Sequence, residues 1–340
     1  LEDLMVKVAV VGAGYWGPNF VRILDELADS ELMAVCDKDP SKLERVKNQH
    51  PLVKVTDDFE SLVERDDLDA VIVATGSEAH FPVAKACLMK GKHVLVEKPI
   101  ALRSADAGEL IDIAREKKKV LLVGHLLRYH NGVITLKKYI DDKSLGKVLY
   151  VYTTRVNLGR IRKEEDAMWS FATHDISVVM YLLGADPDYV TAAGQAYVRK
   201  GVYDVVFLTL HFPGDVMAHL HVSWLDPHKI RKTTVVGDKK MAVLDDTETT
   251  EKLRIYDKGV DFAPSYGDYG ESLSIRIGDI NIPKLDMVEP LKVECQHFLD
   301  CILKGDRPLT GGEQGLKVVR ILEAADKSLR EQSKAIPIGG

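Results

Sequence analysis

At 340 residues, with 46% hydrophobic and 29% charged side chains, the chain has room for two domains and a large buried core. A net charge of -6 gives no overall pull toward nucleic acid, and no apolar run is long enough to span a bilayer. No basic, apolar, cleavable leader precedes the first strand, so the expectation is a cytoplasmic protein.

The first stretch, Val6 to Val11, is an apolar strand that runs into Gly12-Ala13-Gly14-Tyr15-Trp16-Gly17. Glycines spaced this way between a strand and a helix let the backbone approach a pyrophosphate, which the N-terminal end of the helix dipole stabilises. The helix follows, with Phe20, Ile23, Leu24 and Leu27 at helical spacing and Arg22, Asp25 and Glu26 on the wet side. A second strand ends in Asp37, where a carboxylate would hold the adenosine ribose hydroxyls. The expected cofactor is NAD, with NADP disfavoured because a carboxylate there repels a 2'-phosphate.

Strands are expected at 5–11, 32–36, 52–55, 69–74, 92–96 and 120–123, with helices near 16–28, 40–48, 57–65, 79–90 and 103–118. Such alternation with short connections calls for a parallel, doubly wound sheet with right-handed crossovers, here a dinucleotide-binding domain over 1–124. Ligands of an open α/β sheet bind beyond the carboxyl ends of its strands. Thr75 and His80 after the fourth strand, and Glu97 and Lys98 after the fifth, are therefore candidate cofactor contacts.

From His125 the pattern changes. A helix over 130–141, a long strand over 147–158 and a helix over 169–183 precede strands near 189–199, 203–212, 215–225, 229–237, 240–246 and 251–256. Consecutive strands without helices indicate a second, α+β domain over 125–340 with a large open, mainly antiparallel sheet. Residues 257–286, rich in glycine and proline, read as a long irregular loop, and helices at 288–304 and 313–332 close the chain. The four cysteines, Cys36, Cys87, Cys295 and Cys301, have neither a C-x-x-C pair nor zinc spacing and are expected to be reduced core residues. Cys295 belongs to the apolar helical series Val288, Leu291, Cys295, Phe298, Ile302.

With the glycine turn, Glu97-Lys98-Pro99, Gly124-His125, and Trp169-Ser170-Phe171-Ala172-Thr173-His174-Asp175, the sequence resembles the Gfo/Idh/MocA dehydrogenases over essentially its whole length. The closing Pro290 to Cys295 and Arg307-Pro308-Leu309 look like the branch acting on nucleotide sugars. The resemblance implies a Rossmann domain, a C-terminal domain whose sheet builds homodimers or homotetramers, and reversible hydride transfer between a nicotinamide and a sugar hydroxyl carbon. It also implies that Lys98 lies near the reacting hydroxyl, that His174 takes or gives the proton, and that the Lys98-Pro99 bond is cis.

The residues agree. On a regular helix Ser170, His174, Ser177 and Tyr181 share one polar stripe, while Phe171, Val178, Val179 and Leu182 lie elsewhere. Histidine titrates nearest neutrality and can accept a hydroxyl proton, and a lysine ammonium can stabilise a developing alkoxide. Many family members carry an aspartate one turn before the histidine; here the position is Ser170, so that either Asp175 or a water on Ser170 substitutes, or the activity is reduced. On the long strand Thr153, Arg155 and Asn157 share a face, and Arg155 could clasp a substrate carboxylate or diphosphate beside the basic run at 160–163. His219 and His221, with His211 nearby, invite a metal, but two imidazoles without a carboxylate make a poor site, and no metal is expected.

The reading is an NAD-dependent dehydrogenase of a sugar secondary alcohol, C3 of a UDP-uronate-like nucleotide sugar, with no nucleic-acid or membrane partner. The alternatives are an NAD-dependent glycosidase working by transient oxidation and elimination, and a non-catalytic NAD-sensing regulator.

Overall fold

The computed structural model describes residues 5–159, 165–263 and 272–339. The contacts divide the chain into two compact units, one formed by the chain up to Tyr129 with Val288–Arg320, the other by His130–Met287 with Ile321–Gly340.

The first unit is built on strands β1 (Val6–Val11), β2 (Ser30–Cys36), β3 (Lys54–Thr56), β4 (Ala70–Val73), β5 (His93–Glu97) and β6 (Leu121–Gly124). Helices α1 (Gly17–Glu26), α2 (Pro40–Gln49), α3 (Phe59–Val63), α4 (Ser77–Met89) and α5 (Ser104–Lys117) alternate with them. The described pairings between these six strands are parallel, in the order β3-β2-β1-β4-β5-β6, so the doubly wound dinucleotide-binding sheet is present. A parallel sheet with helices on both faces needs strands apolar on both sides, and β4 is buried throughout. Side chains fix several helix starts: Asp39 accepts the Ser41 N–H at 3.0 Å ahead of α2, and Asp58 accepts the Ser61 N–H at 2.9 Å ahead of α3.

The second unit contains α6 (Asn131–Asp141), β7 (Val148–Val156), a π-helical turn (Met168–Ala172) that continues as α7 (Thr173–Leu183), and strands β8 (Tyr189–Gln195), β9 (Val205–Phe212), β10 (Val216–Ser223), β11 (Ile230–Gly237), β12 (Met241–Asp245), β13 (Leu253–Ala263) and β14 (Ser272–Asn281). After these come α8 (Pro290–Leu303), α9 (Gly312–Arg330) and a short β15 (Ile336–Pro337). The nine-stranded sheet has the order β14-β13-β12-β11-β7-β10-β9-β8-β15; β10 is parallel to β7, and the other described pairings are antiparallel. One face is buried, with Val151, Leu208, Ala218 and Leu220, while Tyr150, Tyr152, Phe207 and Met217 are exposed on the other.

The structure corrects three expectations. The loop read over 257–286 is instead the hairpin β13–β14 on either side of residues 264–271, which lie outside the described residues. Its glycines are not breakers but clearances: a Cβ on Gly259 would stand 2.7 Å from Arg276 Nη2, and one on Gly278 2.9 Å from Asp257 Oδ2. Those two side chains pair across the strands, Arg276 Nε donating to Asp257 Oδ1 at 3.1 Å.

The helix read as regular over 169–183 opens with the π turn, in which the Trp169 N–H donates to Asp166 Oδ1 at 2.9 Å and the Trp169 indole N–H to Asp326 Oδ2 at 3.1 Å. π turns concentrate at functional sites because they redirect the side chains that follow.

Finally, the second unit does not run unbroken to the C-terminus. Leu291, Cys295, Phe298 and Leu299 of α8 share a buried core with Val8, Phe20 and Ile23 of β1 and α1. The apolar stripe of α8 satisfies itself against the first sheet, and the entropic cost of closing so long a loop grows only slowly with its length. Phe298→Ala should therefore cost about 3–5 kcal/mol in urea unfolding followed by circular dichroism; a loss below about 1 kcal/mol would show that α8 is not part of that core.

Candidate active site

The end of β1 is shaped by two close backbone approaches. Gly12 has φ +103°, and a Cβ there would stand 2.5 Å from Ala74 O; a Cβ on Gly17 would stand 2.0 Å from Gly12 O. Only hydrogen fits at either position. The same geometry leaves room on the outer side, since a Cβ on Gly14 would meet nothing within 4 Å. Trp16 precedes α1 without a side-chain cap, and no acidic residue occupies the first turn, so the positive end of α1 is not neutralised by its own chain. Tyr15 is 82% exposed beside it, edge-on to Trp16 at 6.1 Å.

Asp37 follows β2 and bears directly on this turn. Its Oδ2 accepts the Ala13 N–H at 2.7 Å, its Oδ1 accepts the Asp39 N–H at 2.9 Å, and Lys42 Nζ lies 3.4 Å from Oδ1. A carboxylate oxygen accepting one N–H retains a lone pair, so Asp37 can brace the glycine turn and still receive a hydroxyl. These features fit a dinucleotide: open space at Gly14, an uncapped helix start and an acid at the next strand end.

Along the same sheet edge, Thr75 follows β4 and is partly exposed. His80, expected as a cofactor contact, is buried, and its ring lies between two carbonyls: Nδ1 is 2.7 Å from Pro99 O and Nε2 3.2 Å from Thr75 O. Its ring thus ties the loop after β4 to the loop after β5. Glu97 ends β5 and accepts the Lys98 N–H through Oε2 at 3.1 Å. The Lys98-Pro99 peptide bond is cis, as the resemblance implied.

In the second unit Ser170 lies in the π turn and is buried, while His174 on α7 is half-buried. Because of the π turn, Ser170 does not stand on the regular α-helical stripe assumed for it. Arg155 and Asp175 are brought together: Arg155 Nε donates to Asp175 Oδ2 at 3.0 Å and Nη2 to Oδ1 at 2.9 Å, with both side chains nearly buried. Burial works against the Arg155 charge, but the Asp175 carboxylate outweighs it and raises the pKa above its ordinary value. The guanidinium read as a clasp for a substrate anion is thus already engaged, and so is the carboxylate read as a substitute partner for His174. Asn157 is partly exposed just beyond β7. The basic run at 160–163 lies outside the described residues.

His219 and His221 stack on Phe207 at 6.2 and 4.4 Å, and His211 stacks on Tyr189 at 4.2 Å. Among the described residues no three His, Cys, Asp or Glu side chains converge as metal ligands. Also among them, no helix is long and apolar enough to cross a membrane. The four cysteines are free and buried, and burial pushes the Cys36 thiol up to about 11 and Cys87 to about 12.

Sequence reasoning passed over Glu294. It stands three residues after Leu291 and four before Phe298, both buried in the first unit's core, and is itself fully buried. An acid on the apolar stripe of α8 was the available signal. Replacing one partner of the Arg155–Asp175 pair leaves a buried charge: Arg155→Met should cost about 3–5 kcal/mol in chemical unfolding, and the double Arg155→Met, Asp175→Leu protein clearly less. Equal losses would show that the ion pair does not act as a unit.

Comparison with known proteins bears on all of this. Residues 6–125 match the oxidoreductase family with an NAD-binding Rossmann fold, GFO/IDH/MocA, and residues 133–243 match the GFO/IDH/MocA C-terminal domain. A 2,7-anhydro-N-acetylneuraminate hydratase of Mediterraneibacter gnavus is 31% identical over 61% of this chain and 58% of its own. A scyllo-inositol 2-dehydrogenase (NADP(+)) of Bacillus subtilis is 29% identical over 96% of this chain and 94% of its own. The structure of a UDP-N-acetylglucosamine 3-dehydrogenase from Acidithiobacillus ferrooxidans superposes with a TM-score of 0.82 at 22% identity, covering 96% of this chain and 98% of that one, which is a likeness of fold. In two of its curated relatives the matched region spans only 60% and 58% of the relative's length. With both family domains matched in order, and with the glycine turn, Asp37 and Lys98 gathered on one sheet edge, the chain belongs to the GFO/IDH/MocA family of NAD(P)-binding oxidoreductases.

Proposed function

We propose that this chain is an NAD-dependent dehydrogenase that oxidises a secondary alcohol of a sugar, or reduces the matching ketone, acting at C3 of a nucleotide-linked, UDP-uronate-like substrate. The observation that carries the reading is the position of Lys98, directly after Glu97 at the end of β5, on the sheet edge that also bears the glycine turn after β1. An amine there is poised beside a dinucleotide held by Gly12, Gly14, Tyr15, Trp16, Gly17 and Asp37, with Thr75 on the same rim.

When bound, the nicotinamide would take up or give back the hydride. The hydroxyl being oxidised must also lose a proton, and the His174 imidazole is the general base that accepts it. The Lys98 ammonium stabilises the negative charge that grows on the oxygen. In the reducing direction His174 returns the proton. Asn157 and Ser170 are the substrate contacts, and the Arg155–Asp175 pair holds the C-terminal end of β7 against the first turn of α7 rather than clasping an anion.

The nucleotide-sugar substrate is supported by the closing segment's branch resemblance and by the dehydrogenase of similar fold named for UDP-N-acetylglucosamine. Assembly follows the same reading: Tyr150, Tyr152, Phe207 and Met217 on the open face of the nine-stranded sheet would pair with a second copy.

A second reading is favoured by the relative named as an anhydro-sugar hydratase. Oxidising a carbinol to a ketone acidifies the adjacent C–H, so a leaving group can depart by elimination, water can add, and the ketone is reduced again. The NAD-dependent glycosidase that the sequence left as an alternative uses this chemistry, which has no net cofactor turnover.

Nicotinamide absorbance, followed with a panel of UDP- and TDP-linked sugars, uronates and inositols, separates the readings. Net turnover with a nucleotide sugar supports the dehydrogenase; bond cleavage or hydration without an absorbance change replaces it with the second reading. Lys98→Met and His174→Ala should each lower turnover by about 10²- to 10⁴-fold while calorimetric NAD affinity stays unchanged; wild-type rates in both would refute their roles. Asp37→Ala should weaken NAD binding and narrow the preference over NADP, whereas an unchanged ratio of the two affinities would remove Asp37 from cofactor selection.

A further inference from the structure

Behind Lys98, on the inner side of the first sheet's carboxyl edge, lies a group of buried acids and bases that the proposed chemistry does not use. Glu97 pairs in register with Gly124 at the end of β6, and His125 follows at once. A Cβ on Gly124 would stand 3.2 Å from Glu97 Oε2, so the missing side chain lets the carboxyl lie against β6. Glu294 comes from α8, which packs on the 3-10 turn Leu126–Tyr129 through contacts such as the His297 ring at 5.7 Å from that of Tyr129.

Glu97, His125 and Glu294 are 5%, 2% and 0% exposed. Among the described residues, Glu97 Oε1, both Glu294 oxygens and both His125 ring nitrogens have no hydrogen-bond partner. An ionised carboxylate buried without a donor is far costlier than a neutral carboxylic acid, so the protonated form is the one such a site keeps.

The two acids are not alike. Glu97 has the Lys98 N–H on one oxygen and the Lys98 charge close by, both of which favour its anion, although burial still pushes it up to about 7. Burial, and after it the neighbouring Glu97 charge, push the Glu294 carboxyl well above the usual range. Burial, then Arg128 and Lys98, hold His125 down to about 3, so its imidazole is neutral and no cation. The other charged or titratable groups around the pair are Arg128 and Tyr129 after β6, and Cys295, His297 and Cys301 on α8 itself. On the α1 side Arg22 is engaged with Glu289 at 2.6 Å.

We infer that Glu294 is a positioning residue of the Lys98 site: it remains a neutral carboxylic acid, so that Glu97 and Glu294 together carry one proton and present one negative charge behind Lys98. A single buried charge stabilises the Lys98 ammonium, and the Glu97 carboxylate grips the Lys98 backbone through a charge-assisted bond. A second charge would hold the amine's proton more tightly and strain the burial of both acids. The function given to this arrangement rests on the proposed role of Lys98, but the proton on Glu294 does not. Both folded-state carboxyls bind protons more tightly than in the unfolded chain, so their contribution to stability is whole below the ordinary glutamate range and is lost as pH rises through the folded values.

Infrared spectroscopy of the full chain in heavy water tests the proton directly, through the C=O stretch of a protonated carboxylic acid. At mildly alkaline pH, where Asp166, pushed by burial to about 6, is ionised, the band should be present in the wild type, retained in Glu97→Gln and absent in Glu294→Gln. Its absence from the wild type, or its survival in Glu294→Gln, overturns the inference. If Glu294→Gln does not fold, Glu97→Gln decides: a persisting band supports a proton on Glu294, and a lost band overturns it.

The effect on Lys98 is read from the pH dependence of its labelling by an amine reagent, measured by mass spectrometry of the Lys98 peptide. Glu97→Gln should move that titration downward and Glu294→Gln should leave it in place, whereas an equal shift in both means that Glu294 was ionised. Neither readout depends on turnover, so a chain that fails to oxidise any sugar can still pass or fail this test.

Discussion

Steric exclusion at the first glycine turn is the constraint on which the dinucleotide-binding unit depends. With hydrogen alone tolerated at Gly12 and Gly17, β1 can end under the backbone of Ala74 and α1 can start against the carbonyl of Gly12. That packing brings the Ala13 N–H onto Asp37 and so couples the end of β2 to the turn after β1. The ends of β4 and β5 are then linked by His80, whose ring lies between the carbonyls of Thr75 and Pro99. Lys98 thus follows a rim on which the ends of β1 and β2, and those of β4 and β5, are tied to one another, as the role proposed for it requires.

Buried charge is handled in two different ways. In the second unit the cost of burying the Arg155 charge is offset by the Asp175 carboxylate, whose two oxygens meet the guanidinium fork. In the first unit two carboxyls sit in the interior with fewer donors than they have oxygens, and neutralising one of them by a proton is the cheaper solution. Both arrangements lie next to residues expected to do chemistry, Arg155–Asp175 beside His174 in the chain and Glu97–Glu294 beside Lys98.

The element pattern of the first unit was legible in the sequence because each parallel strand is buried on both faces and each helix exposes one polar side, so the hydrophobic period is clean. Asp37 was legible too, since its distance from the glycine turn is imposed by one helix and one strand. The β13–β14 hairpin was not, because Gly259 and Gly278 look like breakers until Arg276 and Asp257 are seen to fill their space from the opposite strand. The π turn was equally hidden: it depends on Asp166 and Asp326 holding the two N–H groups of Trp169, and Asp326 is 157 residues away.

The sequence by itself determined the dinucleotide turn, the acid at the end of β2, the lysine after β5 and the change from parallel to mainly antiparallel sheet, since all of these follow from local spacing and side-chain period. The tertiary structure alone decided that α8 belongs to the first core, that Arg155 is spent on Asp175, and that Glu294 reaches the interior near Glu97. Pairing and desolvation are properties of what surrounds a group in space, and a charged residue's partners come from segments whose proximity no local pattern encodes.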